Sequence, residues 1–282
     1  MYRGFAITDR GTEKPLNDDK VMFGNTVLSA GSAEFCGEAP VIAAVFDGVS
    51  AGGHGAEASN IATAAMIDYC ERAKRASSNR STLDDEPLDE VFTGIHEELL
   101  SYRRSIGSSE PVATTVSGIS IDSSHRIQGF NSGDSRVYRF RDGMLVQMTV
   151  DHTVVQGLIE NGADNYLVDQ AEEANGHVIT KALGVPSEAN VVDLESFGEF
   201  QPGDIYLGCT DGLSGFLDRD VIKRVLSRKA PLPIAGKTLF DIAIHNGSYD
   251  NVSLFLITLE EDASLQNDSG DSISIEGNLL QE

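Results

Sequence analysis

Four short acidic segments of the sequence carry the residue types best suited to chemistry. Each segment follows an apolar run or lies in a turn: Asn17-Asp18-Asp19, Val45-Phe46-Asp47-Gly48, Thr210-Asp211-Gly212 and Tyr249-Asp250-Asn251. A strand that ends in Asp-Gly presents a carboxylate at the sheet edge beside an accessible backbone carbonyl. Several such ends together form an all-oxygen site, which suits hard cations such as Mg²⁺ and Mn²⁺. At any one segment alone, turn formation by Asp-Gly or Asp-Asn is the simpler explanation.

Apolar periodicity predicts the elements that must position these segments. Continuous apolar or β-branched runs predict strands at residues 41–46, 112–121, 135–140, 205–209 and 252–259. Apolar residues at helical spacing predict helices near residues 56–73, 88–102, 218–228 and 238–245. Because strands and helices do not alternate regularly along the chain, we expect an α+β fold with antiparallel sheets and helices on the outside.

The composition limits the classes of function. The 282 residues include 21 Lys and Arg against 44 Asp and Glu, a formal net charge of −23. Such an acidic chain repels nucleic acid and anionic lipid, so we expect no nucleic-acid partner, and it attracts cations. No apolar run approaches about 18 residues, and the first residues lack an apolar signal sequence, so we expect neither a membrane span nor secretion. The three widely spaced cysteines form no disulfide framework, which favours the reducing cytoplasm.

The chain divides into one body and an acidic end. Residues 1–259 contain all the predicted strands and helices, and we expect them to form a single domain. Residues 260–282 contain seven acidic and no basic residues, and Ser, Asn, Gln and Gly fill much of the rest. This composition predicts a disordered acidic tail, because it offers too little apolar surface to bury.

Eight sequence motifs stand in a specific order along the chain. They are Thr8-Asp9-Arg10-Gly11 with Asn17-Asp18-Asp19, Val45-Phe46-Asp47-Gly48 with Gly52-Gly53-His54, Ala113-Thr114-Thr115-Val116, Asn131-Ser132-Gly133-Asp134-Ser135-Arg136, Thr149-Val150-Asp151-His152-Thr153, Val178-Ile179-Thr180-Lys181-Ala182-Leu183-Gly184, Thr210-Asp211-Gly212-Leu213 and Asp250-Asn251-Val252-Ser253. Together they resemble the metal-dependent protein serine/threonine phosphatases of the 2C type, especially the compact bacterial ones. The resemblance runs from Gly4 to Leu259. One motif alone is weak, but eight in the family's order and spacing are specific.

The resemblance implies a fold and a metal centre. The implied fold is a four-layer α-β-β-α sandwich, in which two antiparallel sheets pack face to face and helices cover both outer faces. At one rim, Asp47 would bridge two tightly bound Mn²⁺ or Mg²⁺ ions, and the Gly48 carbonyl would bind one of them. Asp211 and Asp250 would bind the other ion or both. Asp18 stands where the family usually has Glu and would contact a metal through water.

Other positions are assigned by the resemblance or depart from it. Asp134 would hold a third, weaker ion, and residues 153–176 would form a flap that suits substrate selection, unless they are an ordinary surface helix and loop. Lys14 stands where the family usually has a phosphate-binding Arg, and a structural surface Lys is the alternative. Some members use a His directly after the Asp-Gly as general acid. In this sequence that position is Val49. His54 is therefore one candidate for the general acid, and a metal-bound water is the default general acid.

The implied activity is hydrolysis of phosphoserine and phosphothreonine in proteins by a metal-activated water. Two cations about 3.5–4 Å apart lower the pKa of a shared water, so no phosphoenzyme is needed. We expect a cytoplasmic monomer that acts on phosphorylated proteins and opposes a serine/threonine kinase. One alternative is a catalytically weak pseudophosphatase that acts as a metal- or partner-binding module, which the short Asp18 and the Lys at position 14 favour. A hydrolase of small phosphoesters is the other alternative.

Overall fold

A computed structural model describes residues 1–77, 87–176, 178–186 and 190–260 of the chain. Its strands are β1 (Tyr2–Asp9), β2 (Lys20–Phe23), β3 (Thr26–Leu28), β4 (Gly31–Gly37), β5 (Val41–Phe46), β6 (Val116–Ile121), β7 (Arg126–Ser132), β8 (Arg136–Arg141), β9 (Met144–Gln147), β10 (Asp193–Glu199), β11 (Ile205–Cys209) and β12 (Val252–Leu259). Its helices are α1 (Gly55–Ser77), α2 (Leu88–Ile106), α3 (Val154–Glu160), α4 (Asn165–Asn175), α5 (Asp211–Ser214), α6 (Arg219–Leu226) and α7 (Leu232–His245). The tail expected at residues 260–282 lies outside the described residues apart from Glu260, so its disorder stays a prediction.

The strands form two antiparallel sheets of six strands each. The first sheet has the order β4-β1-β12-β11-β8-β9 and the second has the order β10-β7-β6-β5-β2-β3. The central strand β5 is buried along its whole length, which explains its continuous apolar sequence. Successive residues of β5 face opposite sides of the sheet. Ile42, Ala44 and Phe46 pack towards the helices, whereas Val41, Ala43 and Val45 pack between the sheets. The α+β fold class is confirmed.

Three apolar cores hold four layers together. One core lies between the sheets and contains Tyr2, Phe255 and Tyr206. A second core joins the second sheet to α1 and α2, where Phe92 and Phe130 pack with ring centroids 5.1 Å apart. A third core joins the first sheet to α5, α6 and α7. The four-layer sandwich with helices on both outer faces is therefore confirmed, and its two sheets end at a common rim.

Two predicted starts are wrong by four residues or more, and each has a local cause, whereas α1 and α2 each continue four residues beyond the predicted end. The strand expected from residue 112 begins at Val116, because the residues before it bond elsewhere: the Thr114 N–H donates to the Leu183 carbonyl and the Thr115 N–H to the Asp47 carbonyl. The helix expected at 238–245 begins at Leu232, directly after Pro231. In the part of the chain that the structure describes, no helix combines the length and apolar character needed to cross a membrane.

Candidate functional site

The acidic segments meet at one rim because of the directions of the strands. β1 ends at Asp9 beside the start of β12, so Asp250, just before β12, lies at that end of the first sheet. β11 runs antiparallel to β12 and ends shortly before Asp211, which therefore lies at the same rim. In the second sheet β5 ends just before Asp47 and pairs with the start of β2, which Asp18 precedes. The rim thus collects carboxylates from both sheets.

Two threonines fix the backbone of Asp47. The Thr115 N–H donates to the Asp47 carbonyl (2.8 Å), and the Thr114 hydroxyl donates to the same oxygen (2.9 Å). The Asp47 N–H in turn donates to Thr115 Oγ1 (3.3 Å). Since these bonds satisfy the main chain, the carboxylate is left to face the rim.

The electrostatics of the rim favour a bound cation. Burial raises the pKa of Asp47 well above its usual value, and the charges of Asp19, Asp211, Asp134 and Asp250 raise it further. Burial, followed by repulsion from Asp211, raises the pKa of Asp134 to about 7. Carboxylates in such surroundings cannot all ionise together unless positive charge compensates them. Their oxygens are also the donors that Mg²⁺ and Mn²⁺ prefer, so the residues present fit a divalent metal.

Asp18 and the Gly48 carbonyl lie side by side against the start of α1. A Cβ atom at Gly55 would lie 2.5 Å from the Gly48 oxygen and 2.8 Å from Asp18 Oδ2. Ser50 Oγ donates to Asp18 Oδ2 (3.1 Å), and the Asp18 N–H donates to Asn251 Oδ1 (2.8 Å). Despite its shorter side chain, Asp18 therefore places its carboxylate against the same residue of α1 as the Gly48 oxygen.

Lys14 carries positive charge into the rim. Its Nζ lies 2.8 Å from Asp250 Oδ1 and 3.5 Å from Ser50 Oγ. Burial lowers the pKa of Lys14, but the hydrogen bond to Asp250 and the charges of Asp250, Asp47 and Asp211 outweigh it, and the pKa lies above its usual value. In this structure the ammonium group of Lys14 thus acts as the counter-ion of Asp250.

Asp19 is a rim residue to which the sequence pattern assigned no role. Its side chain is fully buried, and Oδ2 accepts a hydrogen bond from the Thr210 hydroxyl (3.0 Å). Burial raises the pKa of Asp19 to about 7, against the hydrogen bonds from Ser253 and Thr210 that favour the charged form. Oδ1 has no hydrogen-bond partner among the residues that the structure describes. The one available signal was its position at the start of a buried strand, after two polar residues.

Asn251 is a second residue that the pattern did not single out. Its side-chain N–H groups donate to the carbonyls of Arg10 and Leu16 (both 2.9 Å), and its Oδ1 accepts the Asp18 N–H. It therefore ties the loop that carries Lys14 and Asp18 to the segment that carries Asp250. This role depends on contacts between segments more than 230 residues apart, which spacing alone does not reveal.

Asp134 follows a turn that only glycine accommodates. Gly133 has φ +117°, and a Cβ atom there would lie 2.6 Å from Thr115 Cβ. Asp134 is about nine-tenths buried, since its side chain is 9% exposed. Its neighbour Arg136 forms a fork to the Asp151 carboxylate (2.6 to 3.0 Å), so that guanidinium orders the rim.

His54 and the segment 153–176 lie beside the rim. His54 is half-buried between the turn at Ala51–Gly53 and α1, and the structure gives its ring no hydrogen-bond partner among the described residues. The segment forms the two short helices α3 and α4. Within the described ranges, no group of three or more His, Cys, Asp or Glu side chains is arranged so that it could hold a metal ion as it stands. The rim carboxylates nevertheless lie near enough to raise the pKa of Asp47, and Lys14 forms an ion pair with one of them, Asp250.

A family model and curated relatives match this chain. The model described as "Protein phosphatase 2C" matches residues 30–230. The serine/threonine protein phosphatase PstP of Mycobacterium tuberculosis is 27% identical over 265 residues, which are 90% of this chain but 44% of PstP, so the chain spans less than half of that relative. The serine/threonine phosphatase stp of Listeria monocytogenes is 25% identical over 253 residues, 89% of this chain and 93% of that protein.

Solved structures match the fold. The crystal structure of the Mycobacterium tuberculosis serine/threonine phosphatase PstP/Ppp superposes with a TM-score of 0.70 at 25% identity, covering 93% of this chain and all of that chain. The catalytic domain of PstP, solved in complex with two manganese ions, gives a TM-score of 0.66 at 26% identity and covers 92% of this chain and 99% of that one. The architecture described above is therefore the architecture of these proteins.

Proposed function

Because this chain belongs to the protein phosphatase 2C family, we propose that it hydrolyses phosphoserine and phosphothreonine side chains of proteins. The observation that carries the proposal is the crowding of Asp47, Asp211 and Asp250 at one rim, in surroundings that raise the pKa of Asp47. The relatives PstP and stp, which are named serine/threonine phosphatases, support this choice of phosphoester.

We propose that the rim holds two divalent cations, Mn²⁺ or Mg²⁺. Asp47 would bind both of them, the Gly48 carbonyl and Asp18 would serve one side, and Asp211 with Asp250 would serve the other. When bound, such cations supply an activated water and neutralise charge on the phosphoryl oxygens. The manganese-loaded catalytic domain of PstP supports a divalent cofactor for the family. A third, weaker ion at Asp134 belongs to the same proposal, since fewer carboxylates surround that position.

Binding of the phosphate and protonation of the leaving oxygen would fall to the protein's own side chains. Lys14 would hold the substrate phosphate as a point charge once Asp250 has taken up a cation, because its Nζ already lies 2.8 Å from that carboxylate. Asn251 would keep the Lys14 loop against the rim through its hydrogen bonds to Arg10 and Leu16. His54 stays a candidate for protonating the leaving oxygen, although no hydrogen bond from a described residue orients its ring.

An open rim favours proteins over small phosphoesters as substrates. The side chains of Lys14 and Asp250 are 28% and 25% exposed, so a phosphorylated side chain that projects from a protein surface can reach them. A pseudophosphatase without turnover is disfavoured, because Asp47, Asp211 and Asp250 are all present and Asp18 still lies next to the Gly48 oxygen.

The cellular setting is part of the proposal. We propose a cytoplasmic monomer that opposes a serine/threonine kinase. Cys36 and Cys209 are free thiols, and Cys36 is exposed, which fits a reducing compartment. The net charge of −23 fits protein partners better than nucleic acid.

Phosphate release from phosphoserine and phosphothreonine peptides tests the function. We expect turnover with Mn²⁺ or Mg²⁺ and none with excess chelator. Asp47→Asn should lower kcat by more than about 100-fold, because displacements of about 1 Å at a reacting centre cost that much. Cys209→Ala is the matched control, since Cys209 is buried on the strand leading to Asp211 and its thiol has a pKa raised by burial to about 12. Full turnover in the metal-stripped protein, or in folded Asp47→Asn, would refute the proposal.

A further inference from the structure

The flap, residues 153–176, has no core of its own. Every residue of α3 and α4 whose burial is described is at least partly exposed, including Ile159, Tyr166 and Leu167, whose side chains are 49–67% exposed. Helices of this length are unstable by themselves and take their position from tertiary contacts. The position of the flap relative to the rim therefore depends on how its two ends are attached to the sandwich.

Both ends are attached at one place. Where the flap begins and ends, the Val154 N–H donates to the Val178 carbonyl (3.1 Å), and the Thr180 N–H donates to the His152 carbonyl (2.8 Å). Next to these backbone bonds, the side chains of His152, before the flap, and Lys181, after it, converge on Asp193. Asp193 is the first residue of β10, an edge strand of the second sheet.

Asp193 binds each partner with a different oxygen. Its Oδ2 lies 2.7 Å from His152 Nε2, and its Oδ1 accepts a hydrogen bond from Lys181 Nζ. The side chains of His152 and Lys181 are only 15% and 12% exposed, whereas that of Asp193 is 58% exposed. Partial burial acts to raise the pKa of Asp193, but the bonds from Lys181 and His152 outweigh it, and the pKa lies below its usual value.

The His152 ring continues this attachment to the rim. The Gly133 N–H donates to His152 Nδ1 (3.0 Å), so the ring proton resides on Nε2 and is donated to Asp193. The His152 N–H returns a bond to the Gly133 carbonyl (2.9 Å). Gly133 immediately precedes Asp134, so the flap base and the rim share one hydrogen-bonded unit.

We propose that Asp193 is a positioning residue that holds both ends of the flap and thereby sets the position of the flap relative to the rim. Its carboxylate joins the residue before the flap to the residue after it and anchors both to β10. A protein substrate is large enough to contact a flap attached beside the rim, whereas a small aryl phosphate is not, so Asp193 would govern the KM for protein substrates. The part of this inference that concerns KM rests on the proposed phosphatase activity, and the part that concerns the flap does not.

Asp193→Asn tests the inference, because it removes the charge and keeps the size of the side chain. We expect the Val154 and Thr180 amides to exchange with deuterium about three- to tenfold faster in the full-length protein, given the modest strength of a partly exposed ion pair. The KM for a phosphothreonine peptide should rise by a similar factor, and kcat on an aryl phosphate should stay within about twofold. A lower stability by itself would not separate the two substrates in this way.

Asp122→Asn is the matched control. Asp122 also bonds an Arg and two backbone N–H groups, has a pKa below its usual value, and lies at the far end of the same sheet. It should leave flap exchange and both substrates unchanged. Lys181→Met provides a second route to the same loss if Asp193→Asn folds poorly.

The outcomes separate the two proposals. Unchanged exchange at Val154 and Thr180 in both Asp193→Asn and Lys181→Met would overturn the role of Asp193, whether or not the protein is active. Equal losses on the peptide and the aryl phosphate would overturn it as well, since they indicate damage to the rim. The third outcome combines two results: the wild-type protein releases no phosphate, and the Asp193→Asn variant still shows faster exchange at Val154 and Thr180. That outcome would refute the phosphatase proposal and leave the role of Asp193 in attaching the flap intact.

Discussion

Lys14 has two competing uses at the rim. Its ammonium lies 2.8 Å from Asp250 Oδ1, and the charges of Asp250, Asp47 and Asp211 keep it protonated. A divalent cation at the proposed site would draw on the same Asp250 carboxylate, so cation and ammonium would compete for it. Once released, the ammonium is free to meet a phosphate. If the proposed site is right, Lys14 would couple metal uptake to substrate binding.

Lys14→Met separates these two uses because it keeps the length of the side chain and removes its charge. We expect Mn²⁺ to bind about three- to tenfold more tightly, measured by calorimetry, because no ammonium has to leave Asp250. The KM for a phosphopeptide should rise at the same time, because the phosphate loses a cationic partner. Lys14→Arg is the control, and it should keep the KM low. Weaker Mn²⁺ binding in Lys14→Met would contradict the competition.

The sequence anticipated rim residues unequally. Asp47, Asp211 and Asp250 stand at the ends of apolar runs, so local pattern and motif order were enough to propose them, and the structure gathers them at one rim. Asp19 and Asn251 lie in the same acidic segments, but the pattern assigned neither of them a role of its own. Their importance comes from partners distant in the chain, such as Thr210 on Asp19 Oδ2. Hydrogen bonds between side chains that are distant in the sequence leave no periodic pattern from which they could be predicted.

At the scale of elements, the start of α1 forms one wall of the rim. Gly55, the first residue of α1, leaves room for the Gly48 carbonyl and for Asp18 Oδ2. In an exposed helix an alanine normally stabilises relative to glycine, by about 0.5–1 kcal/mol. Here a Cβ atom would lie 2.5 Å from a backbone oxygen that Gly48 cannot easily move, so the steric cost outweighs that gain.

Gly55→Ala should therefore weaken Mn²⁺ binding and lower the melting temperature. We expect it to displace the Gly48 carbonyl and Asp18 together, which calorimetry with Mn²⁺ detects as a loss of affinity. Gly94→Ala is the matched control, because Gly94 lies exposed within α2 and a Cβ atom there meets nothing within 4 Å. That variant should melt slightly higher and bind Mn²⁺ normally. An increase in stability in both variants would show that α1 does not form the wall of the rim.

The accuracy of the predicted elements follows their burial. The strands at 41–46, 205–209 and 252–259 have the predicted bounds, because sheets or helices cover both of their faces and select continuous apolar residues. The edge strand β4 went unpredicted, since the alternation in its half-exposed sequence GSAEFCG covers only Ser32 to Phe35 and no long apolar run accompanies it. β1 pairs with both β4 and β12, and β12 lies far from β1 in the sequence. Such pairing depends on long-range contacts, which a pattern read over a few neighbouring residues does not contain.

At the scale of the whole molecule, the fold places several carboxylates close together at the rim, where burial and mutual repulsion disfavour their charged forms. The net charge of −23 already opposes compaction, and several carboxylates lie within one rim. Burial, together with neighbouring carboxylates, raises the pKa of Asp19 and of Asp134 to about 7. In an unfolded chain the pKa of an Asp side chain is about 3.9. The folded protein without metal therefore binds more protons than the unfolded chain between those values.

The stability of the metal-free protein should consequently fall as pH rises from about 4 to 7. Each extra proton held by the folded state changes the free energy of unfolding by up to about 1.4 kcal/mol per pH unit, and the sign is negative because the folded state holds more protons. Melting curves with chelator should therefore give a higher melting temperature at pH 5 than at pH 8. Asp134→Asn should reduce this difference, which separates the rim from the charge of the rest of the chain. Saturating Mn²⁺ should reverse it, because cations replace the protons on the carboxylates. A metal-free protein that becomes more stable from pH 5 to pH 8 would mean that the rim carboxylates ionise at their ordinary values and do not crowd together.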